Sequence, residues 1–344
     1  MCKYILLFVF GLLIISNTNA STDKEIHFRV NKNAFDSIAL NLEYGNVVFY
    51  ETTNDSLLVD VRITMDNIAE NKANKELEDY DVLHHINDGL LSISQTRGQV
   101  TNTVRKYRFN YRIGVPTYCP LSIKMIFSKL NMDSWPSSLN IDATYCQINL
   151  LNQVGTEAYS KVKMKFDYCD INSDTIYQAD VVQKGGIFNV KYIKEATIDA
   201  KQAKVSLGYF KGSKIKSKEC VVTVDSIDNV RINANQSFIS LHTITSSLSL
   251  YSDLSTISLG DIVEGGCKLN LDIVDGDLHM KHILDSFSEI QLDLMNAMID
   301  DNLDLNDYEK STQDGSTIYH KKNTYISIPV LLNLKLQRGT LFNE

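Results

Sequence analysis

Pairs of apolar residues spaced seven apart recur ten times from residue 121 onward, at intervals of 17 to 23 residues. A chain patterned this way closes a core only by stacking its segments on one another. The pairs are Ile123/Leu130, Ile141/Ile148, Met164/Ile171, Val181/Phe188, Ile198/Val205, Ile215/Val222, Ile232/Ile239, Leu250/Ile257, Leu271/Leu278 and Leu292/Ile299. One unit alone leaves its apolar face in water, whereas stacked copies bury a continuous face, so the pattern predicts a solenoid. Another apolar residue follows two positions after most second members, as at Met132, Leu150, Val190, Leu207, Val224, Leu241, Leu259 and Met280. That is the period-two alternation of a strand with one buried side. A third contact comes twelve after the first member, at Ile176, Ile193, Phe210, Ile227, Ile244, Ile262 and Ile283. One coil thus reads as a short strand, a tight corner, a second strand and a further buried contact. About ten coils at about 4.8 Å per step give a rod on the order of 50 Å. Only four prolines occur, as a ladder that needs its N–H donors requires.

Five residues after each first member stands a small side chain: Ser128, Cys146, Cys169, Gly186, Ala203, Cys220, Ser237, Ser255, Gly276 and Ala297. The corner interior is expected to be narrow, so that a leucine there would be overpacked by about 1–3 kcal/mol. Cys146, Cys169 and Cys220 share this slot with Ser, Ala and Gly and are expected to be buried, unreactive thiols. With Cys119 and Cys267 they leave an odd number without close spacing, which argues against a disulfide framework. A bridge between Cys146 and Cys169 on neighbouring coils stays open, because the coil spacing permits it.

The chain opens MCKYILLFVFGLLIISNTNA: Lys3, an apolar run from Tyr4 to Ile15, then small residues from Thr18 to Ala20. The run falls short of the roughly 20 residues that span a bilayer, so it reads as a secretory signal peptide over 1–20. A soluble exported protein, located in the periplasm, at the cell surface or outside the cell, is the expectation. The net charge is −8 and no basic stripe stands out, which disfavours nucleic acid and anionic membranes as partners.

Residues 34–49, AFDSIALNLEYGNVVF, carry the coil signature once more, with Leu40, Gly45 five later, Val47 seven later and Phe49 nine later. Between this copy and the main array lie the strand-like DSLLVDVRI, Asp66 as N-cap of a helix presenting Ala69, Ala73, Leu77 and Tyr80, a strand around Leu90–Ile93, and YRFNYRIGVP. The expected organisation is a signal peptide (1–20), a strand and helix cap with one repeat copy (21–120), solenoid repeats (121–301), and a polar loop with a C-terminal capping strand (302–344). The fold class is all-β: a single-stranded parallel β-solenoid, or β-helix, of about ten coils with an N-terminal α+β cap. The order FDSIALNLEYGNVVF, VDVRITM, NKANKEL, LSISQT and NYRIGVP followed by PLSIKMIFSKLNM resembles the secreted bacterial DUF4097-type, or GIN-domain, adhesin family over nearly the whole chain after the leader. The resemblance implies a β-solenoid displayed outside the cytoplasm.

A site on such a rod has to lie on outward positions. Beside the second strands run Asn149, Asn172, Asn189, Ser206, Thr223, Ser240 and Ser258, a polar strip suited either to side-chain hydrogen bonding along the stack or to glycan or peptide contact. Beside the first strands lie Asp142, Lys163, Lys165, Asp180, Asp199, Lys214, Lys216 and Arg231, which read as charge pairs between coils. His279 and His282 are spaced HxxH without a third ligand; adjacent His84 and His85 point to opposite faces of a strand. The acidic run Asp300, Asp301, Asp304, Asp307 and Glu309 lacks the glycine of a calcium loop. No phosphate-binding loop, dinucleotide fingerprint or nucleophile elbow occurs. The sequence therefore predicts a binding surface for a protein or glycan of the cell envelope, with no catalytic residues, metal or cofactor. The rival readings are a polysaccharide lyase or glycosidase on a β-helix and a structural envelope component. Cleavage after Ala20 is expected, so mass spectrometry of the exported protein should find Ser21 as its N-terminus; an intact leader on the mature, soluble form would overturn the expected cleavage.

Overall fold

The computed structural model describes residues 22–52, 55–66, 70–96, 106–116, 119–133, 138–154, 162–263, 266–281, 287–300, 303–322 and 330–343. The expected leader, Ala69, His282, Ile283 and Asp301 lie outside the described residues. The protein is nearly all β, with one α-helix, and its strands join in a single sheet that winds as a solenoid.

Two parallel ladders carry the register read from the sequence. In the first, Leu40, Ile123, Ile141, Met164, Val181, Ile198, Ile215, Ile232, Leu250 and Leu271 stand in one column. In the second, Val47, Leu130, Ile148, Ile171, Phe188, Val205, Val222, Ile239, Ile257 and Leu278 do the same. None of these side chains is more than 3% exposed. Burying each contributes about 1.5–3 kcal/mol, the main driving force of the stack. Ile176, Ile193, Phe210, Ile227 and Ile244 form the third inward column, all fully buried.

Both ends of the rod stack out of chain order. Strand Leu331–Gln337 lies between Lys268–Val274 and Glu289–Met295, and Thr340–Asn343 lies between Asp277–Met280 and Met298–Ile299. The C-terminal strands are thus an interposed coil and do not cover the far end, and Leu292 stands next to Leu334 rather than Leu271. The reason is in the chain: Leu334 and Leu341 are seven apart with Gly339 five after the first, the same coil signature. The residues over the outermost strand come from the stretch expected to be a polar loop, where Glu309–Gln313 and Ser316–Lys322 form an antiparallel hairpin against Glu289–Met295. At the other end Leu90–Thr96 and Lys106–Pro116 stack outside Ser37–Glu43 and Gly45–Thr52. Antiparallel strands Asp81–Asn87 and Ser56–Asp66 then pair with that outer coil, and Thr22–Asn31 with Ser56–Asp66. The helix Glu70–Leu77 buries Ala73 and Leu77, and Lys24 Nζ donates to the Tyr80 carbonyl beyond its C-terminus at 2.7 Å.

The corner between the two strands is more than a steric constriction. The residue just before the small slot adopts φ of 49–55° at Tyr44, Phe127, Tyr145, Tyr168, Gln202, Glu219, Gln236, Leu254, Asp275, Asn296 and Arg338. Left-handed backbone in a residue with a side chain costs on the order of 1–3 kcal/mol. Its N–H stays in the ladder, as Tyr145 to Asp167 O (2.9 Å) and Gln202 to Lys218 O (2.9 Å) show. The slot residue then shields the next donor. Ser237 Oγ accepts the Cys220 N–H (3.2 Å) and donates to Asn235 O (2.9 Å), and Ser255 repeats the pattern for the Ser237 N–H (3.1 Å). Cys146 Sγ likewise accepts the Ser128 N–H (3.4 Å), and Cys169 Sγ that of Cys146 (3.3 Å). The slot cysteines are therefore hydrogen-bonding stand-ins for serine, where the sequence had suggested small hydrophobes. Where the slot is Gly186 (φ 73°), a Cβ would meet the Cys169 carbonyl oxygen. Cys220→Leu should cost about 3 kcal/mol or more, adding overpacking to the loss of the thiol that receives the Ala203 N–H. Outward Thr223→Leu should stay within about 1 kcal/mol; denaturant melts giving equal losses would show the register to be wrong.

Candidate functional site

The polar strip is a single straight row on the outer face of the second strands. Asn149, Asn172, Asn189, Ser206, Thr223, Ser240 and Ser258 stand in register. Its first part is an amide ladder: Asn149 Nδ2 donates to Asn131 Oδ1 at 2.8 Å, Asn172 Nδ2 to Asn149 Oδ1 at 3.4 Å, and Asn189 Nδ2 to Asn172 Oδ1 at 3.2 Å. The internal bonds leave further lone pairs and N–H groups facing water. Farther along the same row His279 stacks on Phe342 with ring centroids 4.4 Å apart, a packing contact.

On the outer face of the first strands the expected charge pairing is found only in part. Lys165 Nζ lies 3.6 Å from Asp142 Oδ1, and Lys163 stands in register with Asp180. Asp199 and Lys216 are neighbours in register but not within ion-pair distance, and Lys214 stands directly against Arg231. One row over, Lys184, Lys201 and Lys218 form a column of like charge. This corrects the impression that the chain carries no basic stripe. The signal was available, since the three lysines are 17 residues apart, one coil length, but it stands out only once the coil length is fixed.

Between these rows the backbone floor is open, because every second residue points inward. Two hollows result, side by side along the same strands. One, of ≈ 520 Å³, is lined by Asp199, Lys201, Lys216, Lys218, Asn233, Asn235, Tyr251 and Asp253, among others. The other, of ≈ 430 Å³, includes Lys214, Arg231, Ser249, Lys268 and Asn270. Asn235 Nδ2 donates to Asp253 Oδ2 at 3.0 Å, and Tyr251 is half exposed. Sequence reasoning missed Asn233, Asn235 and Tyr251, which look unremarkable until the coils align them with Lys216 and Lys218.

The corners add an aromatic ridge. Tyr44, Phe127, Tyr145 and Tyr168 stack face to face with centroids 5.1–5.4 Å apart, each about half exposed. Gly185 follows, where a side chain would strike the Tyr168 ring. Because the rings cover each other's faces, the ridge offers edges and hydroxyls to a partner.

All five described cysteines are unbridged and buried. Burial raises Cys119 to about 11 and also lifts Cys220 and Cys267, disfavouring the reactive thiolate. Among the described residues no three His, Cys, Asp or Glu side chains gather as metal ligands, and no helix is long and apolar enough to cross a membrane.

One charged cluster is built into the stack near the second corner of the coil, where Lys204–Lys211 turns into Lys214–Lys218. Lys211 Nζ lies 2.8 Å from Asp228 Oδ2, and the Tyr209 hydroxyl donates to the same oxygen at 3.2 Å. The lysine hydrogen bond, helped by Ser246 and Tyr209, holds the Asp228 carboxyl below its ordinary value.

No protein-family model matches the chain, and no curated protein matches it. Similar solved structures include a "putative adhesin" from Parabacteroides distasonis, 10% identical with a TM-score of 0.42, covering 76% of this chain and 98% of that one. A second "putative adhesin", from Parabacteroides merdae, is 13% identical with a TM-score of 0.38, covering 77% and 97%. A "putative cell adhesion protein" from Clostridium sporogenes is 11% identical with a TM-score of 0.21, covering 94% and 99%.

Because the folded state lowers the Asp228 pKa, the pairing stabilises above the ordinary carboxylate range and is lost as pH falls through the lowered value. Asp228→Asn should therefore cost about 1 kcal/mol at neutral pH. The difference from the parent protein should close as the pH drops below about 4; a gap that persists in acid melts would mean the loss is one of packing alone.

Proposed function

We propose that this chain is an exported, non-enzymatic binding protein of the adhesin type, which presents the elongated outer surface of a β-solenoid to a protein or glycan of the cell envelope. The observation that carries the reading is the in-register repetition of outward side chains, above all the hydrogen-bonded column Asn131, Asn149, Asn172 and Asn189. Identical groups repeating at about 4.8 Å suit an extended partner that makes many weak contacts. The strip Asn149, Asn172, Asn189, Ser206, Thr223 and Ser240 is part of that surface. The resemblance of the sequence to DUF4097-type proteins points the same way.

The carboxylates in the larger hollow speak against the hydrolase reading. Asp199 and Asp253 sit on strands three ladder steps apart, about 14 Å, whereas glycosidase carboxylates stand roughly 5–9.5 Å apart. A glycan array and a panel of envelope polysaccharides, read with Asn149→Ala, Asn172→Ala, Asn189→Ala and the triple variant, test the proposal. Each single change should weaken binding a few-fold and the triple change more, with no substrate turned over. Polysaccharide cleavage that disappears with one carboxylate substitution, such as Asp199→Asn, would replace the binding reading with an enzyme.

A further inference from the structure

The first-strand face carries an arrangement that stability alone does not account for. Like charges directly opposite on neighbouring strands repel, yet Lys184, Lys201 and Lys218 are stacked in one column and Lys214 and Arg231 in another. Lys218 has Glu219 at 3.9 Å, and Lys184 lies 5.9 Å above the Tyr168 ring. Lys201, Lys214, Lys216 and Arg231 have no carboxylate within ion-pair distance among the described residues. A cationic patch is thus held together within a chain of net charge −8. It is concave as well: the hollows of ≈ 520 and ≈ 430 Å³ lie side by side across the strands Lys214–Lys218, Val230–Asn235 and Ser247–Asp253. Both are shallow and open to solvent, a shape suited to an extended chain rather than to an enclosed small molecule.

Resting on the reading of this rod as a binding surface, we propose that the trough over these strands binds an acidic polysaccharide, with Lys201, Lys216, Lys218 and Arg231 meeting its carboxylate or sulfate groups. The other lining groups suit sugar. The half-exposed Tyr251 offers an apolar ring against which the C–H face of a pyranose packs, and the Asn233 and Asn235 amides, with Ser249 and Asn270 alongside, can donate to and accept from hydroxyls. Charge density selects among polyanions. The basic patch spans only a few coils; Asp199 and Asp253 stand among the lysines in the lining of the larger hollow, and Asp272 lies beside Tyr251 on the next strand. A nucleic-acid backbone, with a phosphate every 3.4 Å of strand or so, would run onto those carboxylates. A glycan charged at only some of its rings can place its anions on the lysines and its hydroxyls on the flanks.

The test is equilibrium binding of the full exported chain to hyaluronate, κ-carrageenan, neutral dextran and single-stranded poly(dA), at about 0.15 M and about 0.5 M salt. Hyaluronate or κ-carrageenan should bind, and the higher salt should weaken it. The double variant Lys201→Glu/Lys218→Glu should bind at least about tenfold more weakly. Tyr251→Ala should lose affinity with little change in salt dependence. The thermal melts of these exposed-site variants should match the parent, and Gln313→Ala in the exposed hairpin at the end of the rod should bind as the parent does. The two acidic glycans separate carboxylate from sulfate recognition. Failure of both to bind, unchanged binding by the lysine variant, or tighter binding of poly(dA) would each overturn the proposal. Binding of dextran or an envelope protein that is lost on substituting the asparagine column but not the trough would overturn it while leaving the elongated-surface reading intact.

Discussion

The structure depends on how a short strand turns a corner without losing its hydrogen bonds. A coil of about 17 residues must leave its ladder twice, and each exit threatens to strand a buried N–H, at about 1–3 kcal/mol apiece. The corner answers this in two parts. A left-handed residue such as Tyr145 or Glu219 turns the backbone while its N–H still reaches the next coil. The following Ser or Cys then accepts the N–H of the coil before it and donates to the carbonyl two residues back, as at Ser237 and Ser255. Ser213 does the same at the second corner, accepting the Ala196 N–H at 2.9 Å. Because every coil turns in the same way, its outward positions fall into rows, and the surface of the rod is a consequence of its corners.

Much of this was legible in the sequence, for a physical reason. Inward columns must be apolar in every coil, so Ile198, Ile215 and Ile232 announce themselves at constant spacing and predict the register observed. The slot after the corner was visible as a run of small residues, but its polar role was not, since Ser, Cys, Ala and Gly look alike to a steric argument. The left-handed position left little trace. Tyr, Phe, Gln, Glu and Leu occupy it, because ladder bonds and side-chain stacking offset the strain that would otherwise call for glycine. Stacking order at the ends was also hidden, although Leu334, Gly339 and Leu341 carry the coil signature. Sequence order suggests spatial order, and here Leu331–Gln337 is interposed between two earlier strands.

The outward rows were harder to read, because an exposed position tolerates almost any side chain. The asparagine strip was apparent since identical residues repeat along it. The trough was not: Lys201, Lys218, Asn235 and Asp253 differ in type and acquire meaning only as neighbours in one row. Charge alternation at Asp142 and Lys165 suggested pairing throughout, yet a few coils later the same face gathers unpaired cations. The face that is least regular in sequence is the one with the most distinctive chemistry.

Every functional statement about this surface rests on which residues stand next to one another across the coils, and cross-linking of paired cysteines tests that directly. Asn270 and Asn333 are in register, with Asn333 Nδ2 donating to Asn270 Oδ1 at 3.0 Å, and Gln291 lies one step beyond Asn333. A disulfide needs Cα atoms within about 7 Å, so Asn270→Cys with Asn333→Cys should oxidise readily. Asn270→Cys with Gln291→Cys, two steps apart at about 10 Å, should not. Peptide mapping by mass spectrometry that found the 270–291 bridge in place of the 270–333 bridge would show the coils to stack in simple chain order and would contradict the arrangement described.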